Sequence, residues 1–143
     1  MTEEALPVTK IDEVQVRRTV DRLEVLYKDD RQKFYDALGT VPGIKIIMRN
    51  EDLPPGTDCE LFLFGEKINV ILNWPICGPV EGATAIYVDK KGKPFHFGKV
   101  TKNGTVISKL GEMGHVYETP RYFSSSLGEP IYRKIPYQFM QYS

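Results

Sequence analysis

Two histidines, His96 and His115, and two cysteines, Cys59 and Cys77, are the side chains of this 143-residue sequence best suited to covalent chemistry. A cysteine attacks a carbonyl as thiolate, a neighbouring imidazole takes its proton and later returns it to the leaving group, and a third polar group holds the imidazole in orientation. Cys59 follows Thr57-Asp58, a pair able to cap a helix. If the following segment is helical, the thiol opens that helix, where thiolate is stabilised and the cysteine pKa falls. The ordinary alternative for His96 is a packed core or surface-edge residue with no chemistry. The four side chains make a poor zinc site, because 17 or 18 residues separate neighbours and the short spacings of zinc sites are missing. No glycine-rich phosphate loop follows a strand, and no cofactor or metal is implied.

His96 needs a frame, and residues 82–109 supply it as three consecutive antiparallel strands. Lys102-Asn103-Gly104 lies between two runs of alternating character, a strong hairpin signal because Asn and Gly tolerate the positive φ of tight turns. A two-residue loop at Asn103-Gly104 sets Val100 against Ile107 and puts Ser108 on the face opposite His96. A three-residue loop with Gly104 left-handed sets Thr101 against Thr105, and side-chain period two then groups His96, Gly98, Val100, Val106, Ser108 and Leu110. The second register sorts the residues better, since Lys99 and Lys109 fall together on the other face with Thr101, Thr105 and Ile107. It predicts that Ser108 neighbours His96.

The run Thr84–Val88, then Phe95-His96-Phe97-Gly98-Lys99-Val100, Asn103-Gly104 and Val106-Ile107-Ser108-Lys109-Leu110-Gly111 resembles the core hairpins of papain-like, NlpC-type cysteine hydrolases. The likeness covers about residues 57–135. The Ser-Lys-Leu-Gly run, His115 and the closing Ile131-Tyr132-Arg133 strand resemble small uncharacterised members of that group. The resemblance implies an α+β fold with Cys59 as nucleophile, His96 as base and then acid, and Ser108, twelve residues on, as the orienting group. His115 is an alternative orienting residue. The sequence departs from the pattern after the nucleophile, where Glu60-Leu61-Phe62 replaces small or polar residues, and at Ser108, whose neutral hydroxyl supports an imidazolium weakly. The implied activity is an amidase or peptidase; the alternative is a catalytically inactive assembly protein on the same scaffold.

The length fits one domain, residues 1–143, able to bury about two thirds of the surface its unfolded chain exposes. With 19 basic and 19 acidic residues the formal charge is zero, which gives no general attraction to nucleic acid or anionic membrane. No apolar run approaches the ~20 residues of a spanning helix, and MTEEALPVTK is acidic where a secretory signal is basic, so a cytoplasmic protein with reduced thiols is expected.

Residues 1–8 read as a loose leader. Thr9 with Asp12 suggests a capping box for a helix to about Lys28, its apolar stripe Val16, Val20, Leu23 and Leu26 or Tyr27. Asp29 or Asp30 caps a second helix carrying Phe34, Ala37 and Leu38, which Gly39 ends as a left-handed cap. Ile44–Met48 is a strand. Residues 59–72 fit two short strands hinged at Gly65 or one helix, and periodicity does not choose. Trp74–Pro79 is a turn-rich connection, Gly111–Gly114 a turn, His115–Tyr117 a short strand, Ser124–Pro130 a loop and Ile131–Ile135 the last strand. The expected architecture is helices packed on a mostly antiparallel sheet. The aromatic end, with Tyr137, Phe139 and Tyr142, either folds back on the core or docks into another copy or a protein partner.

Overall fold

A computed structural model describes residues 12–57 and 68–136. Asp12 starts the first helix, α1 (Glu13–Leu26), its carboxylate accepting from the N–H groups of Val14 and Gln15 at 3.1 and 3.2 Å. Thr9 lies outside the described residues, and Asp12 is the cap itself rather than the far half of a capping box. Val16 and Val20 are buried and Leu23 packs against them. The 3.6-residue period then continues to Tyr27 and leaves Leu26 72% exposed.

Asp30, not Asp29, caps α2 (Arg31–Leu38) by accepting from Lys33 N–H at 3.0 Å. Gly39 corrects the expected left-handed cap: its φ is −70°, and the positive φ falls four residues later, at Gly43. What suits glycine at 39 is space, because a Cβ there would overlap the Ile46 side chain.

Seven strands are described: β1 (Lys45–Met48), β2 (Ile76–Cys77), β3 (Thr84–Val88), β4 (Pro94–Val100), β5 (Val106–Lys109), β6 (Val116–Thr119) and β7 (Ile131–Arg133). They form one sheet in the order β1-β6-β5-β4-β3-β7-β2, with every described pair antiparallel. The fold is α+β. Val16, Val20 and Leu38 of the helices join Tyr117 and Phe123 in the core over one face, which continues along Ala83, Ala85, Tyr87, Val100 and Val106. On the other face Ile86 and Phe97 pack with Ile71 of the one-turn helix α3 (Ile68–Ile71) and with Trp74. Side-chain alternation along β4 therefore puts His96 towards α1 and α2, and Phe97 towards α3.

The sequence-predicted strands at 44–48, 115–117 and 131–135 are present with shifted ends, and β2 was read only as a connection. Of 59–72, the described part is α3. Tyr137, Phe139 and Tyr142 lie outside the described residues. Among the described residues no helix is long and apolar enough to cross a membrane.

Candidate functional site

The register of the β4–β5 hairpin brings His96 to Ser108. Lys99 pairs with Ile107 and Val100 with Val106. Thr101 N–H donates to Thr105 C=O at 2.9 Å, their hydroxyls are 2.7 Å apart, and Gly104 has φ 83°. The loop is therefore the three-residue one, and His96 Nε2 lies 3.1 Å from Ser108 Oγ. Gly98, between them on the same face, leaves room for that approach: a Cβ there would overlap Val106 Cγ1 and lie 3.2 Å from Ser108 Cβ.

Both partners are buried, His96 being 3% exposed and Ser108 fully enclosed. Burial in this apolar layer pushes the His96 pKa down to about 4, so the ring is neutral at pH 7. A neutral imidazole has one donor and one acceptor nitrogen, and a hydroxyl can complement either. Nδ1 makes no hydrogen bond to any described residue. The Tyr87 ring lies beside the imidazole, centroids 5.1 Å apart, and its hydroxyl donates to Arg121 C=O at 2.7 Å.

His96 also forms part of the wall of a cavity of about 440 Å³. Tyr27, Lys28 and Arg31 at the α1–α2 junction, Phe34, Phe95 and Leu110, and the loop residues Phe123, Ser124 and Ser126 enclose it with Glu24. Ser126 Oγ donates to Glu24 Oε2 at 2.9 Å and is 2.7 Å from Ser124 Oγ. Burial raises the Glu24 pKa, and the Ser126 hydrogen bond partly offsets that. Sequence reasoning missed Glu24, Lys28, Arg31 and the serines. The Ser124-Ser125-Ser126 run was visible only as a loop.

His115 has other work. Its Nδ1 accepts from Asn50 N–H at 2.8 Å, which puts the ring proton on Nε2, and Nε2 donates to Asp36 Oδ1 at 2.8 Å. With both nitrogens engaged, it does not orient His96. That bond is the main reason the Asp36 carboxyl sits below the usual carboxylate range. Lys109 is fully buried and donates from Nζ to the carbonyls of Gly111 and Glu112 at 2.6 and 2.9 Å, so the Ser-Lys-Leu-Gly run braces the β5–β6 turn.

Cys59 lies outside the described residues. The stretch that carries it leaves β1 at the sheet end where β4 begins, since Met48 pairs with Val116 and Val116 with Lys109, the last residue of β5. Its described far end, α3, packs on the face opposite His96. Cys77 is a free thiol on β2, with β7 and β3 between it and β4, and burial raises its pKa. Among the described residues no group of His, Cys, Asp and Glu side chains could hold a metal ion.

Fold and site together define an α+β protein with a neutral, hydroxyl-tethered imidazole on the wall of a sizeable cavity. No family model matches the sequence, and no curated protein or solved structure matches it.

Proposed function

We propose that this chain is a papain-like, NlpC-type thiol hydrolase acting on an amide or peptide bond, with Cys59 as nucleophile, His96 as base and then acid, and Ser108 as the orienting residue. The observation that supports it most is the state of His96, a residue of the cavity wall: Nε2 is tethered by Ser108, while Nδ1 has no hydrogen-bond partner among the described residues. A catalytic imidazole needs one nitrogen fixed and the other free for the nucleophile's proton. The Cys59 proton passes to Nδ1, the thiolate adds to the amide carbonyl, and the C–N bond breaks as the imidazolium protonates the departing amine. Water then hydrolyses the thioester, with His96 taking its proton and returning it to the thiol. Iodoacetamide at pH 6 is expected to alkylate Cys59 at least ~10-fold faster than Cys77, because His96 can take the Cys59 proton as the thiol reacts, whereas burial holds the Cys77 thiol protonated. Equal rates at the two cysteines would sink the reading.

A second reading, a catalytically inactive scaffold that docks through Tyr137, Phe139 and Tyr142, is favoured by one observation: α3, the described continuation of the Cys59 segment, packs on Phe97 and not on the His96 side. Under it, removal of residues 136–143 abolishes self-association or partner binding in analytical ultracentrifugation, and Cys59→Ala leaves both intact. An assembly that survives the truncation excludes it.

A further inference from the structure

The cavity lined by His96 combines apolar residues with two cations. Phe34, Phe95, Leu110 and Phe123 form the apolar part. Lys28 and Arg31 stand at the α1–α2 junction, both exposed, and neither makes an ion pair or hydrogen bond with a described residue. Asp29 and Asp30, between them in the chain, do not line the cavity, and Asp30 accepts from the Lys33 N–H as helix cap. Among the described residues the only acid on the cavity wall is Glu24, one oxygen of which accepts from Ser126. Two cations against one carboxylate favour an anionic ligand group, and the apolar wall favours a hydrophobic one beside it. The volume, about 440 Å³, falls within the range of roughly 300–1,000 Å³ usual for small-molecule sites. On its wall the His96 ring, 3% exposed and with no partner for Nδ1 among the described residues, is a buried polar group that a ligand can satisfy.

We infer that this cavity binds the carboxylate end of the substrate, with the free carboxylate at Lys28 and Arg31, an apolar side chain among the phenylalanines and the scissile amide at His96. The substrate class is an N-acyl amino acid or a short peptide ending in an apolar residue. The placement of the scissile bond rests on the thiol-hydrolase reading, but recognition of the acid does not require the thiol.

The test is calorimetric titration of full-length Cys59→Ala protein with N-acetyl-phenylalanine, its neutral amide and N-acetylglycine. The acid is expected to bind at least ~10-fold more tightly than either of the others. Lys28→Gln with Arg31→Gln, both surface changes, is expected to erase the preference for acid over amide while the fold, followed by circular dichroism, persists. Equal binding of acid and amide, a preference that survives the double substitution, or no measurable binding of the acid would overturn the inference. Selective binding of the acid by a wild-type protein that does not cleave it supports the binding inference and overturns only the hydrolase reading.

Discussion

Gly98→Ala is expected to destabilise the protein by about 2–3 kcal/mol, the cost of forcing one methyl group into a filled core. The added Cβ would overlap Val106 Cγ1 and come within 3.2 Å of both Ile107 O and Ser108 Cβ. Val106 and Ser108 are themselves fully buried, so strand β5 must shift away from β4. That shift acts on the two strands that carry His96 and Ser108, and lengthens the bond between them. Gly39→Ala is the control, because there the obstacle is the end of the Ile46 side chain, which can turn aside. Urea unfolding measures both: a midpoint for Gly98→Ala no lower than that for Gly39→Ala would contradict this account of the hairpin.

Acid is expected to cost the folded state roughly 3 kcal/mol through His96 alone as pH falls from about 6.5 to about 4. The unfolded imidazole takes up its proton near 6.5, whereas burial delays uptake in the folded protein to about 4. Between those values the unfolded state binds more protons, so stability rises with pH and is fully present only above the unfolded value. Glu24 works in the opposite sense, since burial raises its pKa and the folded state holds its proton more readily. Asp36, held low mainly by His115, adds its own loss as pH falls through and below the ordinary carboxylate range. His96→Gln removes the imidazole contribution and leaves the other two. Its stability at pH 4.5 relative to pH 7 should fall by about 2 kcal/mol less than that of the parent; parallel declines would show that His96 is not a buried neutral ring.

The hairpin was legible because local chemistry and face sorting agreed. Asn103-Gly104 marked the turn, and the positions of Lys99 and Lys109 chose between registers one residue apart. Helix existence was equally plain, but ends were not: Asp12 can be the near or far half of a cap, and only the backbone decides. Gly39 was misjudged because glycine serves either positive φ or close approach, and sequence does not say which. Strand β2 has two residues in a proline-flanked stretch and exists only through its pairing with Tyr132 and Arg133 of β7. The cavity was invisible for a related reason. Its loop is drawn onto α1 by Ser125 bonding Asp21 and Ser126 bonding Glu24, contacts that span 104 and 102 residues.

The His115 clamp makes the two margins of the sheet unequal. One ring pins α2, through Asp36, and the chain just past β1, through Asn50, to the edge of β6. Breathing along the β1 margin is thereby coupled to lifting of the helical cover, so amide protons there follow the slow opening of a larger unit. At the far margin β2 is held by a two-residue ladder and one flanking bond from Lys134 N–H to Pro75 C=O, with Ile76 68% exposed, and fraying of the sheet is expected to begin on that side.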